Sequence, residues 1–121
     1  MTHLAEGPLD IHHLDRYTGG DRGLNEEVLR LFETECREIL QRLEGLTRDW
    51  PPDAAESWRQ TTHTLKGASR GVGAFELAEM AARAEETEIS DRLAALAAVR
   101  QIACASQAVL RFIEEFFKNG A

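Results

Sequence analysis

Positive charge is scarce in this chain. Its 121 residues carry 14 Lys and Arg against 21 Asp and Glu, a formal net charge of −7. That balance excludes nucleic acid as the expected partner, because binding a phosphate backbone needs a basic stripe that releases counterions. Cysteine is as sparse. Cys36 and Cys104 have neither metal-ligand spacing nor a secretory context, so both are expected reduced, on helices, in a cytoplasmic protein. With 3 Pro, 1 Tyr and few β-branched runs, a sheet is disfavoured. No apolar run approaches the ~18 residues of a membrane span, and the N-terminus lacks a signal-like apolar core. The expectation is a soluble, intracellular monomer with no membrane partner.

What the chain does have is Ala, Leu, Glu and Arg, the residues of helices. Hydrophobic residues at 43% and charged residues at 29% give the balance of one folded domain with one core. Residues 1–8 are expected to form a flexible start and residues 9–118 a single helical domain. Pro8 or Asp10 opens a short helix carrying Leu9, Ile11, Leu14 and Tyr17, which stops at Gly19-Gly20. Asn25, with Glu26 and Glu27 behind it, has the pattern of a second N-cap. From there Val28, Leu31, Phe32, Glu35, Ile39, Arg42, Leu43 and Leu46 trace a largely apolar stripe to about residue 47. Trp50-Pro51-Pro52 breaks that helix, Asp53 caps the next, and Gly71 and Gly73 end or tighten it. A fourth stripe (Phe75, Leu77, Met80, Ala81, Ala84) reaches about Glu88, and Ser90 or Asp91 opens a last helix that frays at Asn119-Gly120. Short connections make successive helices antiparallel. The expected fold is therefore all-α, an antiparallel up-down four-helix bundle with a short additional N-terminal helix.

The third helix carries the chemistry. At about 100° per residue, Trp58, Thr61, Thr62, Leu65, Ser69 and Val72 share one stripe, with Ala54, Ala55 and Ala68 at its edges. His63 points away from that stripe, among Arg59, Lys66, Gly67 and Arg70. A glycine inside a helix costs about 1 kcal/mol against alanine. On a solvent face it clears room for something to approach, here one side of the imidazole. An exposed imidazole, with an ordinary pKa of ~6.5, is a good nucleophile at cell pH. Lys66 and Arg70 would screen a phosphoryl group attached to it. The plain alternative is a surface histidine beside a tolerated glycine.

The run His63-x-Leu65-Lys66-Gly67-x-Ser69, followed by Gly73 and Leu77, resembles the signature of histidine phosphotransfer (HPt) domains. So does the layout around it, with Gly19-Gly20-Asp21 ending a short helix and Leu31-Phe32 in the long one that follows. The similarity spans most of residues 9 to 117. It implies a phosphocarrier in a multistep phosphorelay, with His63 accepting a phosphoryl group on Nε2 from a receiver-domain aspartyl phosphate and passing it to another receiver. Lys66 would neutralise phosphoryl oxygens, joined on geometric grounds by Arg70, and Gly67 would admit the receiver's loops. Leu65, Ser69, Gly73 and Leu77 would be structural, Ser69 through packing or a helix–helix hydrogen bond. The partners implied are receiver domains of response regulators or of a hybrid histidine kinase. The receiver would bring Mg²⁺, so the chain needs no cofactor or metal of its own and is not an enzyme by itself. Docking is expected on an apolar patch from Ile11, Leu14, Tyr17, Leu24 and Val28, with Arg59 beside it. Where the family often has a Leu-Glu pair, this chain has Ala84-Glu85, an exchange expected to leave the phosphoacceptor untouched. The chain begins with Met1 and ends just past the last helix, which is read as a free-standing protein.

Three other readings compete. Gly67-Ala68-Ser69-Arg70-Gly71-Val72-Gly73 resembles a dinucleotide-binding turn, but the polar residues before it do not make a buried strand. His12 and His13 are adjacent and cannot both face one ion from a helix, and no Glu-x-x-His pair exists. The serious alternative is a non-phosphorylated helical adaptor that binds a receiver or kinase. It leaves the pairing of His63 with Gly67 without a purpose.

Overall fold

The computed structural model describes residues 7–119, so most of the expected flexible start, and the fraying expected at Gly120, lie outside it. Among the described residues there are five helices and no strand: α1 (Ile11–Thr18), α2 (Arg22–Asp49), α3 (Ala54–Val72), α4 (Phe75–Glu85) and α5 (Arg92–Asn119). The four longer helices make a closed ring of contacts, α2 on α3, α3 on α4, α4 on α5 and α5 back on α2, while α1 leans on α2 and α3. One core runs through all of them, anchored by Trp58, Leu29, Leu43, Leu65, Leu77, Ile102 and Ile113.

The ends of the helices follow local chemistry, with some corrections. Asp10, not Pro8, caps α1 by accepting hydrogen bonds from the His12 and His13 amides. Gly19 closes α1 in the left-handed region at φ 68. Helix α2 starts earlier than expected because Asp21, not Asn25, is its cap, accepting from the Leu24 amide at 3.1 Å. Asn25 is instead buried, donating to Asp15 at 2.8 Å and accepting from the Thr18 hydroxyl, and so it fastens α1 to α2. Trp50, at φ 48, ends α2 under the guanidinium of Arg92. Asp53 occupies the cap position of α3 but makes no side-chain capping bond. Helix α4 stops at Glu85 rather than Glu88, its end tied by the Thr87 hydroxyl donating to the Arg83 carbonyl at 3.0 Å. Asp91 opens α5 by accepting from the Ala94 amide.

Two packing expectations change. The stripe of α2 that faces the core is Asn25, Leu29, Phe32, Cys36, Ile39, Leu43, Leu46 and Thr47. Leu31 is 69% exposed, and Glu35 and Arg42 also face solvent, so the stripe lies rotated by about a residue from the expected one. Burial pushes the Cys36 thiol above its ordinary value, while Cys104 is exposed; both are free thiols. The second change concerns α5. It contains an 18-residue window of mean hydropathy 1.5, long and apolar enough by length and composition to cross a membrane. Here its residues Ala95, Ala98, Val99, Ile102, Ser106, Val109 and Ile113 recur at spacings of three and four, which is the inward face of a core helix.

Gly73 is where three parts of the chain meet. It ends α3 at φ 90, and its carbonyl accepts from the Asp10 amide at 2.9 Å. A Cβ there would lie 2.5 Å from the Asp10 carbonyl oxygen. Gly73→Ala combines a strained left-handed backbone with that clash and should cost at least about 2 kcal/mol. Gly71→Ala, with helical backbone and open space for the methyl, should instead gain up to about 1 kcal/mol. Chemical denaturation of the two variants checks this, and equal midpoints would sink the argument.

Candidate functional site

Helix α3 has two faces with different tasks. Inward lie Ala54, Trp58, Thr61, Thr62, Leu65, Ser69 and Val72. The Trp58 indole donates to the Ala84 carbonyl at 2.8 Å, a buried bond to the last turn of α4. The Ala84 carbonyl also accepts from the Thr87 amide at 3.0 Å, so the indole N–H takes its second lone pair and fixes how α3 and α4 lie along one another. Thr62 returns its hydroxyl to the Trp58 carbonyl at 2.8 Å and so needs no outside partner. Ser69 is fully buried and packs, but its hydroxyl makes no hydrogen bond, so the expected helix–helix bond is absent.

On the outward face stands His63, its side chain 67% exposed. Its Nδ1 lies 3.0 Å from Glu85 Oε2, while Lys66 Nζ lies 2.7 Å from the other oxygen, Oε1. One carboxylate from α4 thus holds two side chains of α3, one on each oxygen. The Lys66 ammonium, helped by the bond from His63, holds the Glu85 carboxyl below its ordinary value, against an opposing contribution from partial burial. An ionised carboxylate only accepts hydrogen bonds, so in neutral His63 the proton belongs on Nδ1. The lone pair is then on Nε2, directed away from Glu85. The site is an exposed, oriented imidazole with a lysine held beside it.

Glu85 is therefore the residue missed from sequence. The Ala84-Glu85 pair was expected to leave the histidine untouched, yet Glu85 touches His63 directly and Ala84 receives the Trp58 bond. The signal was a carboxylate at the end of the neighbouring helix, readable only with the α3–α4 register in hand.

Gly67 is exposed, and a Cβ there meets nothing within 4 Å, so no packing requires the glycine. Arg59 is paired to Glu56. Arg70, seven residues beyond His63, stands about 10 Å further along the helix axis at ~1.5 Å per residue. It takes no part in the Glu85 network. Leu65 and Leu77 are fully buried. Of the expected docking residues, Leu14 is 3% exposed and belongs to the core, a correction forced by the inward face of α1. Ile11 and Val28 are half-buried against the core, and only Tyr17 and Leu24 present substantial surface, 73% and 42% exposed. Two apolar grooves flank α5, lined by residues such as Ile11, Phe112 and Phe116 or Met80, Ala97 and Cys104, and His63 lines neither.

The outward face of α3 thus carries an exposed histidine bonded through Nδ1 to Glu85, with Lys66 one turn on and Gly67 beside it. A family model described as Hpt domain matches residues 27–110, more than half of the chain. The chain belongs to the Hpt domain family. Hpt domains take part in histidine phosphotransfer in phosphorelays, where they interact with receiver domains, and they are phosphocarriers rather than typical enzymes. No curated protein and no solved structure matches the chain significantly.

The bond to Glu85 should hold neutral His63 as the Nδ1–H tautomer, and Glu85→Ala should abolish this preference. Imidazole ¹⁵N chemical shifts measure it, and an unchanged tautomer in the variant would refute the role of Glu85. A carboxyl whose pKa is depressed on folding contributes stability above its unfolded value and loses it as pH falls through the folded one. The stability difference between wild type and Glu85→Ala should accordingly be full at neutral pH and shrink only below the ordinary value of 4.5.

Proposed function

We propose that this Hpt domain is a phosphocarrier that takes a phosphoryl group from a receiver aspartyl phosphate onto Nε2 of His63 and passes it to another receiver. The observation that supports this most directly is the shared Glu85 carboxylate, which leaves Nε2 as the free lone pair. In the forward step that lone pair attacks phosphorus, the N–P bond forms, and the acyl P–O bond breaks. The bonding electrons leave with the receiver's aspartate carboxylate. The ring then carries a positive charge, with its Nδ1 proton still donated to Glu85. The return step is the same displacement with a second receiver's carboxylate as nucleophile. Phosphoryl transfer is chiefly positioning and charge neutralisation, so a rigid helix suffices as scaffold.

Lys66 serves as the charge partner of the phosphoryl oxygens, exchanging one Glu85 oxygen for them. Gly67 keeps the approach open. Leu65, Ser69, Gly73 and Leu77 hold the scaffold. The receiver supplies Mg²⁺ and the acidic pocket, and the chain supplies neither metal nor cofactor. Tyr17 and Leu24 are the apolar contacts offered to the receiver. The fold that carries this is an antiparallel up-down four-helix bundle with α1 added, residues 9–118 acting as one domain. The closed ring of helix contacts supports that arrangement and a monomer, which this reading places in the cytoplasm.

Incubation with phosphorylated receiver domains should give acid-labile, base-stable label on the wild type and none on His63→Ala. Gly67→Leu should block transfer with little loss of fold, since its side chain enters open space rather than the core. Lys66→Ala should slow transfer about tenfold or more while binding changes little. Label that survives in His63→Ala refutes the carrier. Equal receiver binding by wild type and His63→Ala, with no transfer by either, makes the protein an adaptor.

A further inference from the structure

The cations along the His63 face of α3 are not equivalent. Arg59, one turn before the histidine, is tied to Glu56 on its own helix, and Lys66 is tied to Glu85. Arg70 is exposed, and among the described residues its guanidinium has no hydrogen bond, ion pair or ring contact. Other cations of the chain, such as Arg42, Arg100 and Arg111, likewise show no partner, so what sets Arg70 apart is its place on the histidine's own helix face. On a helix, seven residues is nearly two full turns, so Arg70 lies almost in line with His63, about 10 Å along the axis.

The helix surface is also lopsided. On the C-terminal side of His63 the exposed backbone carries Gly67 and then Gly71, and a Cβ at either would meet nothing within 4 Å. The Gly67 position is explained by access to the imidazole. Gly71 is not: it lies inside α3, its φ is not left-handed, and alanine there would be more stable by up to about 1 kcal/mol. On the N-terminal side stand Arg59 and Gln60, both bonded to the Glu56 carboxylate. One half of the face is low and carries a free cation. The other is raised and already neutralised.

We propose that Arg70 is a specificity-determining residue for receiver docking. It forms an ion pair with a carboxylate on the receiver's rim, about 10 Å from the aspartate that exchanges the phosphoryl group, while the receiver's surface rests on the bare turn at Gly71. This rests on the phosphocarrier reading and adds to it a direction of approach and a charge requirement on the partner. A carboxylate so far from the phosphoryl group lies outside the receiver's metal-binding cluster. It therefore distinguishes one receiver from another rather than serving the chemistry common to all. Rim charges act mainly through association, so the effect belongs in KM and in its salt dependence.

The test uses the full chain and the receiver that transfers fastest in the panel above. Transfer kinetics are measured for wild type, Arg70→Glu, Arg70→Lys, Gly71→Leu and, for comparison, Arg59→Glu. Phosphoramidate, a small donor that needs no docking surface, reports the integrity of His63 in each. Arg70→Glu should raise KM about tenfold or more with kcat within about twofold, and the difference from wild type should narrow in high salt. Arg70→Lys should recover most of the loss, Gly71→Leu should also raise KM, and Arg59→Glu should have the smaller effect. An Arg70→Glu variant with unchanged KM overturns the proposal. So does one that loses kcat and phosphoramidate labelling together, since Arg70 would then act on the phosphoryl group or the fold. Absence of label on wild-type His63 from both donors is a different result, and it overturns the phosphocarrier reading itself.

Discussion

The buried hydrogen bond from Trp58 to the Ala84 carbonyl is the contact on which the site depends. It joins the middle of α3 to the last turn of α4, and the side chain following its acceptor is Glu85. With the register of the two helices set there, the Glu85 carboxylate arrives beside Lys66 on the flank of α3 and His63 on its outward face, both within about two turns of Trp58. Ala84 is fully buried, and its small side chain lets the indole reach the backbone. The core thus positions the chemistry through a backbone carbonyl, without any core side chain touching the histidine.

The two faces of α3 separate stability from function. Inward, large side chains and the self-satisfied Thr62 hydroxyl fill the core. Outward, the helix gives up stability at Gly67 and Gly71, where alanine would fit and would favour the helix. Gly73 is glycine for a different reason, because the chain turns there and the Asp10 backbone crosses within reach of where a Cβ would be. These glycines lie within seven residues of one another, and of the three only Gly73 is required by the fold.

The stripes of the helices were legible to different degrees. For α3 the expected inward residues are the observed ones, because polar and apolar residues separate cleanly around the helix. For α2 they do not: Val28, Leu29, Leu31 and Phe32 put apolar side chains on several sides, and the expected face included Leu31, which is exposed. Only packing against α3 and α5 selects Leu29 and Cys36 for the interior. Asn25 misled similarly. Its cap-like sequence context was real, but Asp21 had already opened the helix, leaving Asn25 to bind Asp15 and Thr18 across to α1.

By itself the sequence determined what depends on neighbours along the chain: five helices, most of their boundaries, the outward placement of His63, and the Lys66 and Gly67 that follow it. Helical periodicity carries that information over three or four residues, and the family match runs over residues 27–110. The tertiary structure alone decided which oxygen of which carboxylate faces the imidazole, that Leu14 is core while Tyr17 is surface, and that Arg70 is left unpaired where Arg59 and Lys66 are not. Each of these depends on how helices far apart in sequence lie against one another. That is set by the packing of large side chains and by a buried indole hydrogen bond spanning 26 residues, a distance over which no periodicity in the sequence reports.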